Sequence, residues 1–382
     1  MATMVEPVKN PSRSDVRSRP ITFFLPTLRG GGAERVTLNL VQGMIEQGLA
    51  VDVVLMAAKG AFLDQLPSSA RLINLGASRL IQTLGPLTGY LRRESPRVLI
   101  SSMSHANLVA LWAAKLAGRG TPVVVTVHNT LSESTKHRGW LTGRLWAYLL
   151  RTFYPWAARV IAVSRGAADD LVRTTGVSDD RVEVVYNPVI TPQMLALARP
   201  TPDHPWFGPG QPPVIIGVGR LTRQKDFATL IRAFATVRRN RPARLIILGD
   251  GPDRAALEAL VTELAIGSDV SLLGFRDNAL AYMAHSAVFV LSSAWEGLPT
   301  VLIEALAAGT RVVATDCPSG PREILQEGQL GALIPVGDTI GMADAIEVAL
   351  GRPQGAVPAD ALFPFTREAA IGRYLRIIEQ AA

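Results

Sequence analysis

Two carboxylates eight residues apart, Glu296 and Glu304, form the most informative pattern in the sequence. An apolar, strand-like run at Val288–Leu291 precedes them, and the residues between them predict a turn and then a helix start, at Gly297, Leu298, Pro299 and Thr300. The first N–H groups of that helix can hold a phosphate or a sugar. Glu296 before the helix and Glu304 one turn inside it can bind the hydroxyls of a sugar and of a ribose. The alternative for Glu304, a solvent-facing position, is weakened by the apolar residues 305–308 that follow it.

Two cations five residues apart, Arg220 and Lys225, follow the strand-like run Val214–Val218 and precede a helical pattern. An arginine can fork two phosphate oxygens, and a lysine supplies a point charge. The pair can therefore neutralise the negative charge that builds on a departing diphosphate. A dinucleotide-binding alternative is weakened because Thr222 replaces the third glycine of a GxGxxG pattern and no acidic residue ends the next strand at the usual spacing of about 20 residues.

A glycine-rich segment, Gly30-Gly31-Gly32, separates the strand-like run Ile21–Leu25 from a helical pattern at Ala33–Gln47. Glycines let the backbone approach a ligand closely, and the helix start offers N–H groups to a phosphate. Gly31 and Gly32 are therefore candidate ligand contacts. A simple tight turn is the alternative.

His128 ends the strand-like run Val123–Val127, where an imidazole at the tip of a parallel strand can reach a bound ligand. It can accept a hydrogen bond from a sugar hydroxyl or orient an acceptor. The alternative is a structural histidine. The loops that follow two other predicted strands supply further candidate contacts to a nucleotide: Gly251, Phe275 and Arg276. The sequence is equally consistent with a core position for Phe275.

A segment rich in aromatic and basic residues extends from Lys136 to Trp156. Basic and aromatic side chains on one helix are typical of a membrane interface. The alternative is an amphipathic core helix with arginines on its outer face. The candidate contacts to a membrane or an acceptor are Arg138, Trp140, Arg144, Trp146 and Arg151.

The charge is unevenly divided along the chain. Residues 1–190 carry 22 Lys and Arg against 13 Asp and Glu, whereas residues 191–382 carry 17 against 19. A basic half can bind nucleic acid, anionic lipid headgroups or acidic ligands, or simply favour solubility. The single cysteine, Cys317, excludes a disulfide within the chain, and the five histidines have no ligand spacing, so we expect no metal site.

Strand-like and helical patterns alternate along the whole chain, which predicts an α/β protein built from parallel βαβ units. The glycine, histidine, cation and carboxylate motifs each follow a predicted strand. Ten strands are expected, five in each half: Ile21–Leu25, Val51–Met56, Val98–Ser101, Val123–Val127, Val160–Val163, Val214–Val218, Arg244–Leu248, Val270–Leu273, Val288–Leu291 and Arg311–Ala314. Ligands bind at the carboxyl ends of such strands. We expect a flexible tail without a signal peptide at 1–20, followed by a Rossmann-like domain at 21–190 and a proline-rich linker at 191–213. A second Rossmann-like domain is expected at 214–360 and a final crossover helix at 361–382.

Taken in order, these motifs resemble those of the retaining GT4-type glycosyltransferases with a GT-B fold. The pair Glu296 and Glu304 matches the acidic E-x7-E motif of that family, and Arg220 and Lys225 match its diphosphate-binding Arg and Lys. Nearly the whole chain from residue 21 onward shares the resemblance. Two further motifs match the family. One is the glycine-rich loop Gly30–Arg35, and the other is His128, which lies where the family has a histidine near the donor sugar.

The resemblance implies two doubly wound domains that face each other across a cleft, with the final helix crossing back to the first domain. It implies a donor nucleotide in the second domain, with Glu304 on the ribose, Glu296 on the sugar, and Arg220 and Lys225 on the diphosphate. The backbone at Gly31–Gly32 and Leu298–Thr300 assists in binding the diphosphate. The acceptor comes from the first domain, and transfer proceeds with retention, without metal or another cofactor. The catalytic set implied is His128, Glu296, Arg220 and Lys225.

The subtype resembles enzymes that build bacterial surface glycans on lipid carriers. It implies transfer of a hexose or N-acetylhexosamine, from a UDP-linked donor, to a lipid-linked glycan. We therefore expect a cytoplasmic protein, peripheral on the inner face of the cytoplasmic membrane and bound through its first domain, with no nucleic-acid partner. The alternatives are a GT-B epimerase or phosphorylase, a sugar-nucleotide-binding subunit without activity, and a dehydrogenase.

Overall fold

The computed structural model describes residues 19–132, 140–352 and 357–381, without the side chains of Trp140 and Leu141. Most of the predicted N-terminal tail, and Arg138 and the Trp140 side chain among the candidate residues, lie outside this description. No helix in the described part of the chain is long and apolar enough to cross a membrane.

Seven strands form the first sheet, in the order β3-β2-β1-β4-β5-β6-β7. The strand pairs β2–β3, β1–β2, β1–β4 and β4–β5 are parallel. This order, which starts in the middle and grows outward in both directions, is that of a doubly wound sheet. The strands are β1 Ile21–Leu25, β2 Val51–Leu55, β3 Arg71–Asn74, β4 Val98–Ser102, β5 Val123–Val127, β6 Arg159–Ala162 and β7 Val182–Val184.

Six parallel strands form the second sheet, in the order β10-β9-β8-β11-β12-β13. Successive side chains of a strand point to opposite faces, and residues 214–216 follow this rule: Ile215 packs in one buried cluster, and its two neighbours pack in the other. The strands are β8 Val214–Val218, β9 Arg244–Leu248, β10 Val270–Gly274, β11 Val288–Leu291, β12 Arg311–Thr315 and β13 Ala332–Ile334.

Helices connect the strands, as parallel pairing requires. Among those of eight residues or more, α7, α8, α10 and α12 contribute buried residues to the clusters around the second sheet. The helices are α1 Gly32–Glu46, α2 Leu84–Glu94, α3 Ser104–Ala117, α4 Trp140–Phe153, α5 Arg165–Thr175, α6 Pro192–Leu197, α7 Phe227–Asn240, α8 Arg254–Glu263, α9 Ala279–His285, α10 Thr300–Ala307, α11 Pro321–Ile324, α12 Thr339–Gly351, α13 Ala359–Leu362 and α14 Arg367–Ala381.

The contacts divide the chain into two compact units. The first comprises Met1–Val127, Leu149–Ile161 and Tyr374–Ala382, and the second comprises His128–Tyr148 and Ala162–Arg373. Helix α14 thus begins in the second unit and ends in the first, which agrees with the predicted crossover. Within the first unit, Tyr374 and Thr126 are both buried.

All ten predicted strands are present, and their ends differ from the prediction by at most one residue. Three strands were not predicted: β3, β7 and β13. Each lies at the edge of its sheet and is partly exposed, so it lacks the continuous apolar run of a strand buried on both faces. The stretch 191–213, predicted as a linker, contains helix α6 and a short 3-10 helix, both with a proline in the first turn, where proline is well tolerated.

Phe234 on α7 is fully buried in a cluster beneath the second sheet. We expect Phe234→Ala to lower the free energy of unfolding of the second unit by about 3–5 kcal/mol, because the deletion leaves a cavity. The measurement is chemical denaturation followed by circular dichroism. Phe275→Ala is the control, since this ring is 74% exposed. Equal losses in the two variants would contradict the packing described.

Candidate functional site

The loops that carry the predicted donor motifs lie at one edge of the second sheet. Loops that follow parallel strands meet at the carboxyl edge of the sheet, and β8 and β11 are adjacent there. The chain order reverses between these two strands, because β9 and β10 extend to one side and β12 and β13 to the other. Such a reversal is where doubly wound sheets bind ligands.

A buried ion pair lies at this reversal point. Lys225, from the loop after β8, places Nζ 2.5 Å from Oε1 of Glu296, from the loop after β11. The side chains are only 17% and 8% exposed, so each charge depends on its partner for compensation. The negative charge also acts on Cys317: burial, and then Glu296, raise the pKa of this thiol to about 12.

Four hydrogen bonds hold the two loops that carry the ion pair. Ser292 donates through Oγ to the carbonyl oxygen of Lys225 at 2.7 Å, and Ser293 donates through Oγ to Oε1 of Glu296 at 2.6 Å. Gln224 adds two bonds: its side chain donates to the Trp295 carbonyl at 2.9 Å, and its own carbonyl accepts from the N–H of residue 294 at 2.8 Å. The pair is therefore positioned by local structure as well as by charge.

Close backbone contact also joins the loops after β8 and β9. A Cβ atom on Gly249 would lie 1.9 Å from the carbonyl oxygen of Gly219, and the φ of Gly249 is +131°. A Cβ atom on Gly251 would lie 2.3 Å from the Leu221 carbonyl oxygen. Gly251 is therefore a packing glycine, whose absent side chain lets the loop with Arg220 lie against its neighbour.

Gly297 lies against the backbone of His128 within the second unit. A Cβ atom on Gly297 would lie 2.1 Å from the His128 carbonyl oxygen, so no larger residue fits there without displacement. The Gly297 carbonyl in turn accepts a hydrogen bond from Ser319 Oγ at 2.8 Å. The structure thus brings together three predicted site residues, Glu296, Gly297 and His128.

The imidazole of His128 is held in its neutral form. Its Nε2 atom is buried and has no hydrogen-bond partner in residues 19–132, 140–352 and 357–381. Burial lowers the pKa of the ring to about 4. A neutral ring with an unsatisfied polar atom is ready to exchange a hydrogen bond with a ligand.

The other predicted donor residues of the second unit lie at the same edge of its sheet. Arg220 is exposed directly after β8, and Phe275 is 74% exposed after β10, with Arg276 bonded to its carbonyl at 3.2 Å. Helix α10 begins at Thr300, as predicted, and Glu304 lies partly buried on it. The turn before the helix is buried, so only its backbone is suited to ligand contact; it consists of Gly297, Leu298 and Pro299.

The glycine-rich loop of the first unit differs from the prediction in one respect. The N–H groups of Gly30 and Gly31 donate to Oε2 of Glu34 at 2.7 and 2.6 Å, and Thr27 Oγ1 donates to Oε1 at 3.1 Å. The N–H of Gly31 is therefore already satisfied by a buried carboxylate. Gly32 is the first residue of α1, and space is open around it.

The aromatic and basic helix α4 also differs from the prediction. Trp146 is 7% exposed and belongs to the interior, which corrects its placement on a lipid-facing surface. Among the described side chains of this helix, the large apolar ones that are exposed are Leu145 and Tyr148, at 60% and 65%. Arg144 and Arg151 are exposed on the same helix, as predicted.

Two residues with clear roles at these sites were not singled out from the sequence, Glu34 and Ser293. Both stand at a three-residue spacing from a partner: Glu34 follows Gly31, and Ser293 precedes Glu296. A polar side chain three residues from a loop position is the spacing of capping interactions, and it is the signal from which both contacts are predictable.

Comparison with known proteins identifies the class. A family model described as Glycosyltransferase Family 4 matches residues 30–192, and one described as Glycosyl transferases group 1 matches residues 212–352. A crystal structure of Anabaena HepE in complex with UDP and glucose is similar in fold, with a TM-score of 0.75 and 22% identity over 94% of this chain and 99% of that one. The two parallel-sheet domains therefore have the GT-B fold.

Two relatives are similar over most of their length. A Campylobacter jejuni N-acetylgalactosamine-N,N'-diacetylbacillosaminyl-diphospho-undecaprenol 4-alpha-N-acetylgalactosaminyltransferase is 29% identical, over 86% of this chain and 89% of its own. The lipopolysaccharide core biosynthesis glycosyltransferase LpsE of Rhizobium meliloti is 29% identical, over 84% and 85%. The chain belongs to the GT4-type glycosyltransferases, whose two halves the family 4 and group 1 models describe.

The low pKa of His128 predicts a pH dependence of stability. Between about pH 4 and pH 6.5, the unfolded chain binds a proton that the folded ring does not, so the free energy of unfolding falls as the pH drops through this window. We expect His128→Gln to lose less stability than the wild type over the same window. Denaturation at pH 7, 5.5 and 4.5 measures this, and parallel pH profiles would contradict the assignment.

Proposed function

We propose that this glycosyltransferase moves a hexose or N-acetylhexosamine from a UDP-linked donor to a lipid-linked glycan, with retention of anomeric configuration. The observation that carries the donor half is the Lys225–Glu296 pair at the reversal point of the second sheet. A cation and a carboxylate 2.5 Å apart fit a ligand with a diphosphate next to a polyhydroxylated ring.

Each group of the donor has a chemical counterpart at this edge. Lys225 and the exposed Arg220 neutralise the diphosphate, and the N–H groups at the start of α10 assist. Glu296 accepts hydrogen bonds from the sugar, and Glu304 accepts them from the ribose. Phe275 and Arg276, exposed after β10, flank the base. The solved relative HepE was crystallised with UDP, which supports a uridine nucleotide.

The transfer step needs stabilisation of the leaving diphosphate above all. The acceptor hydroxyl attacks the anomeric carbon on the face that the diphosphate leaves, the carbon–oxygen bond to the phosphate breaks, and the phosphate oxygen takes the acceptor's proton. The two cations stabilise the charge that develops on this oxygen. We propose that they do so without a divalent metal. His128, neutral and with an unsatisfied Nε2, donates to or accepts from a hydroxyl of the reacting sugar.

Two relatives and the charge of the first half of the chain support the proposed lipid-linked acceptor. The Campylobacter relative is named for a diphospho-undecaprenol acceptor, and the Rhizobium relative for lipopolysaccharide core biosynthesis. The basic excess of residues 1–190 suits an anionic lipid-linked substrate. We therefore place the enzyme in surface-glycan biosynthesis, cytoplasmic and peripheral on the inner face of the cytoplasmic membrane.

We expect Lys225→Ala and Glu304→Ala each to reduce turnover by about 100-fold or more, because each removes a charged donor contact worth about 3 kcal/mol. Release of nucleoside diphosphate from sugar nucleotide measures turnover. Lys115→Ala is the control for the loss of a lysine, since Lys115 lies outside this site, beside Trp156. Near-native turnover in either donor-site variant, with folding intact, would remove the donor-site assignment.

The donor itself is tested by calorimetric titration in EDTA against UDP, GDP, ADP and NAD. We expect selective binding of UDP, lost in Glu304→Ala, followed by turnover of one UDP-sugar. Binding of UDP without any turnover would favour a non-catalytic subunit. Binding of NAD alone would reopen the dehydrogenase alternative, and a requirement for Mg²⁺ would remove the metal-free mechanism.

The exposed side chains of α4 predict membrane binding. We expect the double variant Leu145→Ser/Tyr148→Ser to bind vesicles of phosphatidylcholine and phosphatidylglycerol at least about fivefold more weakly than the wild type, since apolar burial and anionic lipid both contribute. Co-sedimentation measures this, and Arg144→Gln/Arg151→Gln tests the charge. Ile340→Ser, at a residue 74% exposed, is the matched control. Unchanged binding in both double variants would exclude α4 as the membrane contact.

A further inference from the structure

Among the residues that the structure describes, the hydrogen bonds to the Glu296 carboxylate all go to one oxygen. Oε1 accepts from Lys225 Nζ at 2.5 Å and from Ser293 Oγ at 2.6 Å. Within residues 19–132, 140–352 and 357–381, no hydrogen bond to Oε2 is present. A carboxylate has about four acceptor positions, so Oε2 keeps its capacity for hydroxyl groups of a ligand.

The hydroxyl of Ser293 has little freedom to point elsewhere. Ser293 is 0% exposed, and its carbonyl oxygen accepts a hydrogen bond from Thr315 Oγ1 at 2.6 Å. Its neighbour Ser292 holds the backbone of Lys225 through a bond of 2.7 Å. Two adjacent serines thus support the two members of the ion pair separately, one through a main-chain carbonyl and one through a side-chain carboxylate.

The support of Glu296 matters most when the donor is bound. A diphosphate attracts the ammonium group of Lys225, and this weakens the bond from Nζ to Oε1. A carboxylate that is 8% exposed is costly to leave without compensation. The Ser293 hydroxyl does not depend on Lys225, so it still donates to Oε1 and keeps Oε2 directed at the ligand.

We propose that Ser293 is a positioning residue, which holds the Glu296 carboxylate in its sugar-binding orientation while Lys225 engages the diphosphate. This inference rests on the proposed function of the site. It assigns to Ser293 no contact with the donor, and it predicts that the effect of Ser293 passes entirely through Glu296.

The test is a double-mutant cycle on Ser293→Ala and Glu296→Gln, with turnover of the preferred sugar among UDP-glucose, UDP-galactose, UDP-N-acetylglucosamine and UDP-N-acetylgalactosamine. We expect Ser293→Ala alone to reduce kcat/KM by about 10- to 100-fold, since a charge-assisted hydrogen bond is lost. In the Glu296→Gln background, the same change should reduce kcat/KM less than about twofold, because the acceptor charge is already absent. The affinity for UDP alone should change less than about threefold.

The controls separate positioning from general stability. Ser286→Ala removes a buried hydroxyl that donates to the Tyr282 carbonyl at 2.7 Å, and we expect near-native turnover from it. If Ser293→Ala does not fold, Ser293→Cys keeps the size of the side chain and only a weak donor, and the same cycle applies.

Three outcomes would overturn the inference. Near-native kcat/KM in Ser293→Ala would remove the role of the hydroxyl, and equal effects in the two backgrounds would remove its action through Glu296. Both leave the proposed function intact, because the wild type turns over. Absence of turnover in the wild type with every sugar nucleotide would remove the proposed function and this inference with it.

Discussion

The buried pair of Lys225 and Glu296 constrains the rest of the second unit. An ammonium and a carboxylate that are taken out of water lose hydration, and their mutual attraction compensates only when the geometry is close and the remaining hydrogen bonds are made. The loops after β8 and β11 satisfy that condition through serine and glutamine bonds. The same unfavourable burial makes the pair responsive to a ligand, because a diphosphate and a sugar offer each charge a second partner.

The doubly wound sheet explains why these two loops meet. Residues 225 and 296 are 71 positions apart, and two other strands, β9 and β10, lie between them in the chain. They become neighbours because β8 pairs with β11 at the point where the chain reverses its direction of growth. Glycines at 249, 251 and 297 then let the backbone of adjoining loops approach more closely than any residue with a Cβ atom permits.

Carboxylates satisfy the N–H groups at two helix starts in this protein, whereas helix α10 has no side-chain cap. In the first unit, Glu34 satisfies the N–H groups of Gly30 and Gly31, so the glycine-rich loop is internally capped. In the second unit, Glu323 accepts from the N–H groups of Arg165 and Gly166 at the start of α5. By contrast, the cap position of α10 is Pro299, which offers no side-chain hydrogen bond. The start of helix α10 therefore has no side-chain cap, which leaves its N–H groups suited to a phosphate.

The sequence by itself determined the fold class, ten strands and the order of the donor motifs, because strands buried on both faces need continuous apolar runs and ligand loops need glycine and charge. It did not reveal the edge strands β3, β7 and β13, whose exposure removes that pattern. Only the tertiary structure decided that Trp146 is interior while Leu145 and Tyr148 are exposed, since a helical face is chosen by what packs against it. It also decided that Lys225 pairs with Glu296, because this contact depends on β8 and β11 being adjacent.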